Sequence, residues 1–220
     1  MISRERLAEH LLLQNQLNRV VNPDWVQARY NWTRAIMVEG VELLDHYGWK
    51  WWKQQEPNTA QVHLELVDIW HFILSNELAA CDGDAEEALG NLSYALKNPQ
   101  YLAPMGYSNV DVRGLNARDL THVLVANAAA SHVHMTAFDL LMYQTQLSWE
   151  KLDLLYRTKN ILNVFRQRHG YKEGTYIKTW FGKEDNEVIY DLLEAKPDAT
   201  TQMLTEKLES IYSQLAKETA

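Results

Sequence analysis

Two helical stretches of this chain carry carboxylates in the middle of faces that ought to be apolar, and this limits the possible folds more than any other feature. At about 100° per residue, Glu39 falls among Trp32, Ala35, Ile36 and Leu43, with Glu42 flanking it on the same side. On the next helical stretch, Glu65 and Asp68 straddle Phe72, with Val62 and Ile69 on one flank and Leu64 and His71 on the other. An ionised carboxylate in an apolar setting must neutralise, pair or bind a cation. Between Glu39 and Asp68 the basic side chains other than histidine are Lys50 and Lys53, both at a loop. Two antiparallel helices facing each other would gather the four acids around a divalent ion. An oxygen-only ligand set favours Mg²⁺, with Mn²⁺ as a substitute, over zinc. The bland alternative is four solvated acids, and a lone E-x-x-E spacing does not separate the two.

The rest of the chain bounds the setting. Its 220 residues suit one domain spanning 1–220, with a polar tail of about fifteen residues expected to fray. A 46% hydrophobic and 23% charged composition is that of a globular protein. No apolar run approaches the roughly 18 residues that a membrane span requires. The N-terminal stretch reads as an amphipathic helix and not as a signal peptide. The single cysteine, Cys81, excludes an internal disulfide and suits a reducing cytoplasm. A net charge of −8 argues against nucleic acid as a partner. The charge is uneven, however: Arg157, Lys159, Arg166, Arg168, Lys172, Lys178 and Lys183 are opposed within their segment only by Glu173. A basic segment on an acidic protein points to a small anionic ligand, unless it is simply a solvated face.

Helical periodicity dominates, so the expected fold is an all-α helical bundle. Helices are expected near 3–19, 24–47, 59–80, 84–97, 116–145 and 148–169, with shorter pieces near 186–194 and 200–217. Asn22-Pro23-Asp24 and Pro57-Asn58-Thr59 are expected to supply a turn and a cap for the second and third helices, and Ser148 to open the sixth. The stretches 98–114 and 170–185, rich in glycine, proline or aromatics, read as loops. His132 and His134, two apart on an expected helix, point to different sides and make no metal site.

The acidic residues then take on a familiar setting. E39-G-V-E42-L-L-D45-H-Y-G48-W49-K50-W51-W52-K53, followed by E65-L-V-D68-I-W-H71-F72-I-L-S75, closely resembles the metal-binding core of the dimeric all-α dUTPases, which belong with the MazG-like nucleotide pyrophosphohydrolases. L13-Q14-N-Q-L17-N18 is similar to that family's base-reading segment. K159-N-I-L-N163-V-F-R166, G170-Y171-K-E-G174-T-Y176-I-K178 and E184-D185-N186 are similar to its phosphate-binding motifs. The resemblance implies an all-α NTP pyrophosphohydrolase fold, a homodimer, and Mg²⁺-dependent hydrolysis of dUTP, and of dUDP, to dUMP by attack at the β-phosphorus. It implies Glu39, Glu42, Glu65 and Asp68 as metal ligands, with Glu39 also the general base. Lys159, Asn163, Arg166, Tyr171 and Lys178 would hold the phosphates. Gln14, Asn18, Trp51 and Asn186 would surround the base, and Phe72 the deoxyribose. His71 is left as either a core residue or a ligand contact.

Three other readings compete. A related pyrophosphohydrolase acting on dCTP would keep the mechanism, because an amide side chain can turn to suit cytosine. A di-iron carboxylate bundle would want E-x-x-H twice, whereas only D68-I-W-H71 approaches it and Glu42 stands four residues from His46. A non-enzymatic helical interaction module leaves the basic, aromatic loop from Gly170 to Lys183 without a purpose.

Overall fold

The computed structural model describes residues 1–196 and 199–218, with side chains described as far as Leu215. Its order is α1 (Arg4–Val21), α2 (Trp32–Tyr47), α3 (Thr59–Ala80), α4 (Ala85–Lys97), β1 (Leu102–Met105), β2 (Ser108–Asp111), α5 (Ala117–Ala129), α6 (Met135–Gln144), α7 (Trp149–Arg168), β3 (Thr179–Trp180), β4 (Lys183–Glu184), α8 (Asp185–Ala195) and α9 (Thr201–Glu218). The all-α expectation holds. The four strands form two small antiparallel hairpins, inside the two stretches read from sequence as loops.

α3 is the centre of the molecule. Val62, Leu66, Val67, Ile69, Trp70, Ile73, Leu74 and Leu78 leave it apolar on most sides, as a helix surrounded by others must be. α1, α2, α4 and α7 all pack on it. Trp70 stacks on Phe138 at 5.6 Å and meets the edge of Trp149 at 5.4 Å, while its indole N–H donates to His10 Nδ1 at 3.0 Å. Full burial of such an indole with its polar handle satisfied stabilises by roughly 3 kcal/mol or more.

α2 and α3 form a helical hairpin. α2 ends at Gly48, whose φ of 81° suits a residue without a Cβ, and the chain returns so that the Asn58 N–H donates to the His46 carbonyl at 2.8 Å. Asn58 then caps α3 by accepting from the Gln61 N–H at 3.3 Å, as expected. On its other face α2 lies close against α5: a Cβ at Gly40 would come within 2.6 Å of Val125 Cγ2.

Two expected elements differ. The second helix starts at Trp32 and not at 24. Asn22 instead accepts from the Asp24 N–H in a side-chain turn, Arg29 takes a positive φ of 49°, and Asn31, not Asp24, supplies the cap. The expected helix 116–145 is two helices, broken at Ser131, where φ is 63°. His132 and His134 therefore lie in a helix break, and His134 caps α6 by accepting from the Ala137 N–H at 3.2 Å. The helical piece expected near 200–217 is α9, which buries Leu204, Leu208 and Leu215; of the tail expected to fray, residues 219 and 220 lie outside the described ones.

α7 links two apolar clusters. Its first half gives Leu152 and Tyr156 to the core around α3; its second half gives Leu162 and Phe165 to a smaller cluster with Trp180, Ile189, Leu208 and Leu215. Lys159 and Asn163 sit at the changeover, where the cleft opens.

Candidate active site

The cleft has a volume of about 820 Å³ and draws on α1, α2, α3, α7 and the segment from Tyr171 to Asn186. Every site residue expected from the sequence lines it except Trp51. Such convergence from remote parts of the chain is what a nucleotide-sized pocket requires.

At one side the hairpin of α2 and α3 sets Glu39 and Glu42 against Glu65, with carboxylate oxygens of all three within 4.8 Å of one another. Glu65 is buried, Glu39 half-buried and Glu42 exposed. Burial, then the nearby Asp68 carboxylate, pushes Glu65 up to about 8 and Glu39 up to about 7, so that the bare cluster retains a proton between them. This is the electrostatic demand of a cation site. Three carboxylates gathered this closely could hold a hard divalent cation through oxygen ligands.

Asp68 stands apart from that trio. It holds the ammonium of Lys159, a buried lysine, at 2.9 Å. Among the described residues no lysine or arginine pairs with the other three acids. Glu65 has a further neighbour that the sequence reading left out: His46 Nε2 lies 3.3 Å from its Oε1, at the end of α2 and on the cleft wall.

The cationic side of the cleft is built around Arg166. Its guanidinium makes a two-pronged bond with the fully buried Asp185 at 2.8 and 2.7 Å, and donates to Asn163 Oδ1 at 3.1 Å and Asn186 Oδ1 at 3.2 Å. Its planar group also lies 5.6 Å from the Tyr171 ring. The Tyr176 hydroxyl donates to the same Asp185 at 2.7 Å. Arg166 and Tyr176 hold the Asp185 carboxyl below its usual range despite its burial. Lys178 is exposed and 3.2 Å from Glu184. Asp185, absent from the expected site, carries a sequence signal only as the middle residue of E184-D185-N186.

The third wall is aromatic and amide. Gln14 and Asn18, one turn apart on α1, are buried side by side. Phe72 stacks on Trp32 at 6.3 Å, and Trp32 also meets Trp25 and Tyr30 edge-on at 6.0 and 5.5 Å. All four rings line the cleft. Trp51, expected here, is instead 89% exposed in the turn after α2, edge-on to Trp52 at 5.2 Å. The aromatic wall comes from Trp25, Tyr30 and Trp32, which the turn from Asn22 to Asn31 delivers. His71 also faces the cleft. Its Nδ1 donates to the Val67 carbonyl at 2.9 Å, burial holds it neutral with its pKa pushed down to about 4, and its buried Nε2 has no hydrogen-bond partner among the described residues.

A carboxylate trio, buried cations and a base-sized amide and aromatic pocket together suit a phosphorylated nucleoside. Among known families, the model described as dUTPase matches residues 6–171 of this chain, a span that contains the carboxylates, the amide pair and α7. No curated protein matches the chain.

Proposed function

The chain belongs to the dUTPase family and is a dUTP-hydrolysing enzyme, and on that footing we propose that it cleaves dUTP to dUMP and pyrophosphate with Mg²⁺ held by Glu39, Glu42 and Glu65, with Asp68 able to join them. The observation that carries this reading is the gathering of three carboxylates within 4.8 Å on the wall of the cleft that also holds Lys159 and Arg166. Bound Mg²⁺ supplies charge neutralisation for the triphosphate and lowers the pKa of water.

The protein's own residues do the rest. Glu39 accepts the proton of the attacking water, which adds to the β-phosphorus while the bond from that phosphorus to the α–β bridging oxygen breaks. The bridging oxygen leaves with dUMP, and the water oxygen leaves in pyrophosphate. Lys159, Arg166 and Lys178 offset the charge of the phosphate chain, with Asn163 and Tyr171 as neutral donors. Gln14, Asn18 and Asn186 face the base, and Phe72 the deoxyribose. dUDP, which has the same β-phosphorus, is a second substrate on this chemistry. A homodimer, as the family resemblance implies, is compatible with the individually exposed apolar side chains Val41, Trp51, Trp52, Leu102 and Tyr107, each more than half exposed.

The test is pyrophosphate and phosphate release from dUTP, dUDP, dCTP, dTTP and UTP with and without Mg²⁺, beside Glu39→Gln. Fast release from dUTP, abolished by chelation and lowered roughly 10²–10⁴-fold in the variant, supports the assignment. Metal-independent turnover, or a Glu39→Gln enzyme as fast as the parent, overturns it.

A further inference from the structure

The two amides that face the base are not free to turn. Ser75, fully buried on α3, donates its hydroxyl proton to the His71 carbonyl one turn back, at 2.9 Å. The other acceptor within reach, Asn18 Oδ1, is farther at 3.3 Å. The hydroxyl oxygen therefore offers lone pairs, and both amides turn their NH₂ groups onto it: Gln14 Nε2 at 3.0 Å and Asn18 Nδ2 at 3.1 Å. Gln14 places its second N–H on Asn18 Oδ1 at 3.0 Å, and its own Oε1 lies 3.2 Å from the Tyr156 hydroxyl, whose nearer acceptor is the His10 carbonyl at 2.8 Å, so the hold on Gln14 comes from Ser75 and Asn18.

The two ends of an amide are nearly alike in size, so sterics alone do not choose between its two orientations and the hydrogen-bond network does. If Gln14 or Asn18 turned end for end, a carbonyl oxygen would meet the lone pairs of Ser75. Its hydroxyl could rotate to answer one of them only by abandoning the His71 carbonyl. One proton cannot serve two turned amides, and a buried acceptor left unpaired is costly.

We propose that Ser75 is a positioning residue that fixes the order of donor and acceptor presented by Gln14 and Asn18, and so selects uracil over cytosine, a role that rests on the dUTP-hydrolysing reading of the cleft. Along the edge concerned, uracil shows an acceptor (O4) beside a donor (N3–H), whereas cytosine shows a donor (the N4 amino group) beside an acceptor (N3). Turning one amide exchanges the two patterns. With both NH₂ groups tied to Ser75, the groups left for the base are the remaining N–H of Asn18 and the free carbonyl lone pairs, a donor beside acceptors. Ser75 itself does not line the cleft.

The experiment compares kcat/KM for dUTP and dCTP in the parent protein, Ser75→Ala and Ser75→Thr, with Mg²⁺ and with folding checked by circular dichroism. Ser75→Ala is expected to lower the dUTP-to-dCTP ratio about tenfold, the effect of one lost hydrogen bond. Ser75→Thr, which keeps the hydroxyl, is expected to hold the ratio near that of the parent. A merely structural role would slow both substrates together; an unchanged ratio in Ser75→Ala overturns the assignment. Should Ser75→Ala not fold, Ser75→Cys, close in size with a weakly accepting sulfur, decides between the same two outcomes. A parent protein inert toward dUTP would instead sink the hydrolase reading, and this is seen before any variant is made.

Discussion

Lys159 Nζ lies 2.9 Å from Asp68 Oδ2, joining α7 to α3 across the floor of the cleft. The ammonium is almost completely buried while the carboxylate is about one-fifth exposed, so the two partners are unequal. Removing the carboxylate strands a buried cation; removing the cation leaves an anion that water can still reach. In the metal-free protein, Asp68→Ala should therefore destabilise by up to roughly 3 kcal/mol and Lys159→Met by distinctly less. Urea denaturation of both in the presence of a chelator measures the difference, and equal losses would contradict the asymmetry.

Glu39 and Glu65 make stability depend on pH in the unusual direction. Their folded-state pKa values lie above the ordinary 4.5, at about 7 and about 8. A raised carboxyl pKa means that the folded state binds more protons than the unfolded one. The contribution of these two groups is full below pH 4.5 and is lost as pH rises through 7 to 8. The melting temperature of the chelated protein should fall over that window, and Glu65→Gln should flatten the fall. Added Mg²⁺ should reverse the trend, because the ion needs the ionised carboxylates. A melting temperature independent of pH between 5 and 8.5 without metal would refute the shared proton.

The carboxylate cluster was readable from the sequence because an acid inside an apolar stripe is anomalous whatever the tertiary fold. The basic side was readable for a similar reason, as a local charge excess in an acidic chain. Pairing across the fold was not. A helical wheel shows which face a side chain takes but not what comes to meet it, so neither Lys159 opposite Asp68 nor Asp185 behind Arg166 could be read from spacing. Trp25 and Tyr30 escape a sequence reading of the cleft because 24–32 reads as the start of a helix, whereas the Asn22 and Asn31 side chains supply local turns that compete with the helix. Trp51 drew notice as part of G-W-K-W-W, a pattern equally satisfied by an exposed turn. The break at Ser131 carries neither glycine nor proline, and the β1–β2 hairpin has little β-branched alternation to announce it.

Asp185 and Arg166 form the most enclosed ion pair of the site, with side-chain exposures of 0% and 9%. Asp185→Ala should destabilise by roughly 3–5 kcal/mol, because the guanidinium loses two charge-assisted bonds where water cannot replace them. Asp185→Asn keeps the shape and the bond from Tyr176 but offers one carbonyl where two carboxylate oxygens stood, so it should fall between the parent and the alanine variant. Thermal melts rank the three. The pair also sets an acid limit: with the Asp185 pKa held below 3.8, its contribution is present above that value and lost as pH falls through the folded-state pKa.

Phe72 should govern the sugar. It stands one residue from His71 on α3, lines the cleft and is held by stacking on Trp32 at 6.3 Å, so its ring is a rigid wall. If that wall abuts the deoxyribose, the space for a 2′-hydroxyl is filled by ring carbon, and a ribonucleotide must either displace it or bury a hydroxyl without a partner. Phe72→Ala removes the obstacle and also a contact surface. It should lower kcat/KM for dUTP while raising the UTP-to-dUTP ratio by about tenfold, the scale of one buried hydroxyl mismatch. Phe72→Leu, which keeps apolar bulk, should retain most of the discrimination. Steady-state kinetics with the two nucleotides decides it: parallel losses on dUTP and UTP would remove Phe72 from sugar selection and leave it as packing for Trp32.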